Sequence, residues 1–284
     1  MKRKQKAKAQ YKAVAIAAVL ALLTLPIIGC ATGLRPTDGL FSWHSEAIGS
    51  EEARQALLSV AEMRGVGTIY QGTDENGEAF SSFCAEARAK GLSVYLLVGQ
   101  PKWARDRSGE RQQAAVSQAA ELGADGIVFD IEPYLLAEWD TDRDELAESW
   151  VSGLIAAKAV AKQRGVSMIV CVPYYLEDKI DGALYGRLVR YGCDGLAVMN
   201  YYKQNEVEHL AYEAALCRRF GKALIPIYEL QPPGRHGLQP INTYYGEEEA
   251  LLEKSREAIR SAYGRQALSF AWHEYEAFRE RYGE

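Results

Sequence analysis

Apolar residues follow two rhythms that alternate along this chain. From residue 39 onward, a stretch apolar at every third or fourth position ends at a glycine. A short β-branched or aromatic run follows, and the unit repeats. The glycines are Gly65, Gly91, Gly123, Gly165, Gly192, Gly221 and Gly264, and each suits the left-handed position that closes a helix. The pattern predicts strands over Gly39–His44, Gly67–Gln71, Ser93–Gly99, Gly126–Glu132, Ser167–Tyr175, Gly195–Tyr202, Ala223–Leu230 and Ala267–Glu274. It predicts helices near 50–64, 77–90, 110–122, 142–164, 178–191, 205–220, 247–262 and 274–282. Strand and helix alternating in this number imply an α/β fold, a single (β/α)8 TIM barrel. The alternative is an open doubly wound sheet, but no glycine-rich phosphate turn follows the first strand.

The fourth strand carries the chemistry. In Gly126–Glu132, Ile127, Phe129 and Ile131 share one face, and Val128, Asp130 and Glu132 share the other. Ionisable groups on a buried strand need partners or a task. One reading is a pair of carboxylates satisfied by loop hydrogen bonds. The other is a general acid with an orienting neighbour at the carboxyl end of a barrel strand, where such enzymes keep their active sites.

Ahead of the barrel, six basic residues from Lys2 to Lys12 precede an apolar run, Ala13–Ile28, which ends at Gly29-Cys30. This is the layout of a secretory signal, and sixteen residues are short for a membrane span. The Leu25-Pro26-Ile27-Ile28-Gly29-Cys30 run resembles the lipobox of bacterial lipoproteins. The resemblance implies residues 1–29 as signal peptide, Cys30 as lipidation site in a tether over 30–38, and a domain over 39–284 held outside the cytoplasm by a lipid anchor. The other reading is an uncleaved N-terminal anchor, which leaves the domain on the same side of the membrane.

Removing residues 1–29 takes away six positive charges and no negative ones, moving the formal charge from −5 to −11. An acidic chain without a basic cluster argues against a nucleic-acid partner. Cys84, Cys171, Cys193 and Cys217 fit no disulfide framework or metal motif and read as buried thiols, and the four histidines show no ligand spacing. No metal or cofactor is expected.

Aromatic and polar residues gather at the strand ends: Trp43 and His44, Tyr70 and Gln71, Gln100 and Trp103, Tyr134, Tyr174 and Tyr175, Asn200, Tyr201 and Tyr202, Tyr228 and Glu229, and Trp272, His273 and Glu274. Aromatic rims suit the apolar faces of pyranose rings, although such residues also pack at rims with wet polar tips. The partner expected is therefore an oligosaccharide or polysaccharide.

These residues resemble the family-18 glycoside hydrolases, the chitinases and endo-β-N-acetylglucosaminidases. Asp125-Gly126-Ile127-Val128-Phe129-Asp130-Ile131-Glu132 matches their D-G-x-D-x-D-x-E except at Val128. Val170–Pro173 resembles the family's strand-5 end, and Met199-Asn200-Tyr201-Tyr202 its M-x-Y-D without the final aspartate. Leu224–Glu229 resembles its G-x-P-x-Y-G with both glycines replaced; Leu97–Gln100 fits the S-x-G-G poorly, and Trp272 falls on the strand-8 tryptophan.

The resemblance implies substrate-assisted hydrolysis with retention at an N-acetylhexosamine, an exception to the two-carboxylate rule. Glu132 falls on the general acid and Asp130 on the residue that holds the 2-acetamido group. Tyr201 falls on its hydrogen-bond partner, and Trp272 on the floor of the sugar subsite. Trp43, Tyr202, Tyr228, Asn200 and Gln100 are further candidates for substrate binding.

Val128 and Tyr202 stand where the family has aspartates, so N-acetyl specificity or catalysis is open to loss. Two alternatives remain. One is a two-carboxylate retaining glycosidase with Glu132 as acid/base and Glu229 as nucleophile. Strand parity bears on it: if Tyr228 points into the site, Glu229 does not, and Glu229 is then a rim residue. The other is a lipid-anchored glycan-binding protein without turnover. The segment Gln231–Glu247, rich in proline, glycine and tyrosine, is expected to form one mobile wall of the site.

Overall fold

The computed structural model describes residues 37–73 and 77–283. The expected signal peptide, Cys30 and most of the tether lie outside the described residues.

Eight parallel strands close into one barrel in sequence order. They are β1 Gly39–Ser42, β2 Thr68–Gln71, β3 Ser93–Val98, β4 Gly126–Phe129, β5 Ser167–Pro173, β6 Gly195–Met199, β7 Ala223–Glu229 and β8 Ala271–His273. The principal helices between them are α1 Glu51–Met63, α2 Glu78–Ala89, α3 Glu110–Glu121, α4 Arg143–Arg164, α5 Gly182–Tyr191, α6 Ala211–Phe220, α7 Glu249–Tyr263 and α8 Tyr275–Tyr282. The (β/α)8 barrel expected from the hydrophobic rhythm is the observed fold. Four of the eight strands, β1, β4, β5 and β6, leave the ladder two or more residues before the expected end, because the last residues of each run turn into the loops of the upper rim.

Two apolar layers follow from the strand pleat. Phe41, Tyr70, Tyr95, Leu97, Val128, Ile169, Cys171, Ala197, Ala223, Ile225, Ile227 and Ala271 fill the barrel interior. The alternate residues pack outward against the helices, from Leu40 and Ile69 round to Tyr228 and Trp272. The interior is filled unevenly, with rings from β1 to β3 and alanines from β6 to β8. Phe41 and Tyr70 meet edge to face at 4.8 Å, and Tyr70 and Tyr95 at 5.9 Å. Room for those rings comes from glycines on neighbouring strands. A Cβ on Gly39 would stand 2.6 Å from the Tyr70 ring, and one on Gly126 would stand 2.4 Å from Tyr95.

Carboxylates latch the lower rim. Asp38 accepts from the backbone N–H of Phe270 at 3.0 Å, Asp125 from Val94 at 3.0 Å and Asp194 from Met168 at 2.9 Å. Arg256 and Lys158 neutralise Asp38 and Asp194. The first aspartate of the strand-4 motif, Asp125, therefore ties strands together at the end of the barrel opposite Asp130 and Glu132.

Of the seven glycines that follow helices, five have positive φ; Gly165 at the end of α4 is typical, with φ 72°. Gly192 and Gly264 differ, with φ −101° and −66°. There the need is close approach, since a Cβ would meet the carbonyl of Leu188 at 2.8 Å or of Arg260 at 2.5 Å. Cys84, Cys171, Cys193 and Cys217 are buried and form no disulfide.

Candidate active site

The upper rim encloses a cavity of about 790 Å³. Asp130 and Glu132 enter it from beyond β4, Met199 from the end of β6 and Tyr201 from beyond it, Glu229 from β7, His273 from β8 and Trp43 from beyond β1. Tyr134, Tyr174 and Tyr175 form an aromatic side, on which Tyr175 meets Tyr134 at 6.2 Å and Tyr174 at 5.3 Å.

Asp130 follows the last ladder residue of β4, and its backbone N–H still donates to the carbonyl of Val98 at 2.9 Å. Its Oδ1 is shielded from solvent and has no hydrogen-bond partner. Burial, and next the charge of Glu132, push its carboxyl up to about 7, while His273 pulls the other way. Glu132 is held differently: the Tyr134 hydroxyl donates to its Oε2 at 2.6 Å. Burial first, then Glu229 and Asp130, raise the Tyr201 phenol well above its ordinary value, so it remains a donor.

Glu229 is 3% exposed and both its oxygens are engaged. Oε1 accepts from the backbone N–H of Gln231 at 2.8 Å, and Oε2 lies 2.9 Å from His273 Nδ1. The other ring nitrogen, Nε2, accepts from the Trp43 indole at 3.2 Å. The peptide between His273 and Glu274 is cis.

Not every candidate from the sequence reaches this cavity. Trp272 does not floor it. Its ring points out to the helices, stacked on Tyr228 at 5.5 Å with the Arg256 guanidinium 5.1 Å above it. Tyr228 points the same way, and its hydroxyl pairs with Ser255 at 2.9 Å. The pleat decides both cases: Ile225, Ile227 and Ala271 face the interior, so Tyr228 and Trp272 must face away. The same parity brings Glu229 inward, reversing the expectation that it sits on the rim. Asn200 is turned aside to donate to the Glu206 carbonyl at 3.0 Å, and Tyr202 packs against His209 at 5.8 Å. Gln100 is exposed at the head of a short 3-10 turn, Pro101–Arg105.

His273, Met199, Pro173 and Gln231 line the cavity without having been singled out as site residues. His273 carried one usable signal, its place two residues beyond the inward Ala271.

The segment after β7 supplies one wall through His236, Gly237, Leu238 and Asn242. Asn242 anchors it, donating from Nδ2 to the Tyr201 carbonyl at 2.7 Å and accepting from the Gln239 N–H at 2.9 Å. Lys203 and Glu247 form an ion pair beside it. Among the described residues, no group of three or more His, Cys, Asp or Glu is arranged to hold a metal ion.

Neither a protein-family model nor a curated protein matches this chain in sequence. Solved structures do match in fold. A GH18 chitinase from Pseudoalteromonas aurantia aligns over 87% of this chain and 96% of its own, with TM-score 0.59 and 11% identity. A chitinase from Chromobacterium violaceum aligns over 86% and 96%, at 0.56 and 13%. The PgaB (BpsB) glycoside hydrolase domain from Bordetella bronchiseptica covers 87% and 96%, at 0.53 and 11%. A xylose isomerase domain protein from Planctomyces limnophilus reaches 0.53 at 14% identity, covering 87% and 92%. At these identities the likeness establishes the barrel, and the chemistry has to be argued from the cavity.

Proposed function

We propose that the chain is a glycoside hydrolase acting on an N-acetylhexosamine-containing glycan by the substrate-assisted, retaining route. The observation that carries this reading is that Asp130, Glu132 and Tyr201 line one cavity at the upper rim. The strand-4 motif and the glycoside hydrolases among the fold neighbours support it.

The steps assign themselves by chemistry. The substrate's acetamido oxygen attacks the anomeric carbon as the glycosidic C–O bond breaks. The departing oxygen takes a proton from Glu132, whose Oε2 is fixed by Tyr134. Asp130 and the Tyr201 hydroxyl orient the acetamido group, and Asp130 Oδ1 is an acceptor still lacking a donor. Water, deprotonated by Glu132, then opens the cyclic intermediate from the face the leaving group vacated. Two inversions give retention.

A two-carboxylate route is the second reading, favoured by the inward direction of Glu229. Both Glu229 oxygens are occupied, however, so attack would first require breaking its contact with His273 or Gln231. Binding without turnover is the third reading. The test is a panel of labelled glycans, with and without acetamido groups, offered to the wild type and to Glu132→Gln. Cleavage of acetamido-bearing glycans by the wild type alone is the expected result. We further propose that the mature protein is tethered outside the cytoplasm through lipidated Cys30, as the Gly29-Cys30 context suggests.

A further inference from the structure

With Trp272 turned outward, the indole that reaches the cavity is Trp43, and it is tethered. Three hydrogen bonds run from β7 through β8 to the end of β1. The Gln231 backbone N–H donates to Glu229 Oε1 at 2.8 Å, Glu229 Oε2 meets His273 Nδ1 at 2.9 Å, and His273 Nε2 meets Trp43 Nε1 at 3.2 Å.

The chemistry of the ends fixes the direction of every link. An indole N–H can only donate, so His273 Nε2 must be bare. The single proton of the neutral ring then sits on Nδ1, where Glu229 accepts it. A backbone amide can only donate, so Glu229 Oε1 is engaged as well. Glu229 has no freedom left, and at 3% exposure it has no competing water shell.

We propose that Glu229 and His273 are positioning residues that hold the Trp43 indole as the sugar-stacking wall of the cavity. This rests on the glycan reading of the site. It gives Glu229 a task other than nucleophile and gives β8 a task that Trp272 does not perform.

Protonation opens the chain. A second proton on His273 can go only to Nε2, the lone pair that receives the indole N–H, so imidazolium and tethered indole exclude each other. Burial alone would lower the His273 pKa. The hydrogen bond and charge of Glu229, with Asp130 and Glu274, outweigh it and raise the value above that of an ordinary histidine. The other groups against the ring are Phe41 at 5.7 Å and Tyr201 at 6.1 Å, neither of them charged. Acidification therefore releases Trp43 while the barrel stays folded.

The test uses the Glu132→Gln protein, so that ligand survives, with N-acetylated chitin oligosaccharides as the probe. Trp43→Phe and His273→Leu should each weaken binding by about tenfold, and the double variant should bind no worse than either, as coupled neighbours do. His273→Gln, whose amide can accept from the indole and donate to Glu229, should stay within about threefold of the parent. Nitrogen-edited NMR gives a readout that needs no glycan. The Trp43 indole N–H, assigned by its loss in Trp43→Phe, should be protected from solvent exchange at pH 8 and lose protection on acidification and in His273→Leu. The acidification is repeated in Asp130→Asn, so that Asp130 titration is not mistaken for that of His273.

Oligosaccharide binding with additive losses and an unchanged indole signal would overturn the positioning role and leave the glycan reading standing. No binding by the parent, with the indole still protected, would overturn the glycan reading and the sugar-wall role with it.

Discussion

Gly99 packs so closely on Asp130 that a Cβ there would stand 1.8 Å from the Asp130 carbonyl oxygen. The end of β3 is therefore stripped of a side chain where the end of β4 bends across it, and that bend presents the Asp130 carboxyl. Gly99→Ala must push the two segments apart. The expected cost is about 1–3 kcal/mol, as for overpacking in a filled site, with a loss of activity larger than the change in Tm explains. Gly186, inside α5 with nothing within 4 Å of its would-be Cβ, is the control. There alanine should stabilise by about 0.5–1 kcal/mol through helix propensity. Thermal unfolding of both variants checks the pair.

Asp130 makes stability depend on pH with a definite sign. Its folded pKa of about 7 lies above the ordinary carboxyl value, so the folded state holds a proton that the unfolded state has released. That contribution is fully present below about pH 4, the unfolded value. It is lost as the pH rises through about 7. Asp130→Asn removes the loss. The variant should match the wild type near pH 4 and exceed its Tm at pH 8, with the gap opening between. Parallel Tm curves for the two proteins would refute the assignment.

How far the sequence could be read is visible in three strands. In β4, apolar residues alternate with Asp130 and Glu132, so the inward face was plain and the carboxylates were placed correctly relative to each other. In β7 and β8 both faces are apolar, as they must be when a parallel strand is buried on each side. Periodicity then cannot say which face is the interior, and Tyr228 and Trp272 were assigned to the wrong one. The deciding contrast was size. Ala223, Ala271 and the two isoleucines of β7 fit the crowded interior, whereas Phe270 and Trp272 need the roomier layer under the helices. The hydrogen-bonded chain from Gln231 to Trp43 joins residues up to 230 positions apart, and no local pattern announces it.

The wall after β7 depends on Asn242. Its side chain bridges the Tyr201 carbonyl and the Gln239 N–H, closing a capping box at Pro240–Asn242. Asn242→Ala should cost about 1 kcal/mol and should speed hydrogen exchange at the Gln239 amide. It should also weaken glycan binding, because Tyr201 loses a backbone restraint. If exchange at Gln239 is unaltered, something else holds this wall.

Lipidation at Cys30 has its own measurement. Mass spectrometry of the membrane fraction should find a mature chain that begins at an acylated Cys30, and Cys30→Ser should be released or left unprocessed. An intact chain starting at Met1 in membranes would contradict it.

Glu132 and Glu229, both lining the cavity, should separate in kinetics. An alkoxide leaves at neutral pH only with a proton donor, and Glu132 is the cavity carboxyl whose one oxygen is fixed by a tyrosine while the other remains to carry the proton. Glu132→Gln should therefore lose about a hundred- to ten-thousand-fold in kcat, the usual worth of a general acid. On the proposed tether, Glu229 acts through His273 on the Trp43 indole, which would meet the sugar before and during the reaction alike. Glu229→Gln should show most of its loss in KM, the signature of uniform binding. Product stereochemistry should be retained, and a thiazoline that mimics the cyclised acetamido intermediate should inhibit the wild type. Suppose instead that Glu229→Gln abolishes kcat and glycans without an acetamido group are cleaved. Glu229 would then be the nucleophile, its bond to His273 would serve to be broken, and the substrate-assisted route would fall.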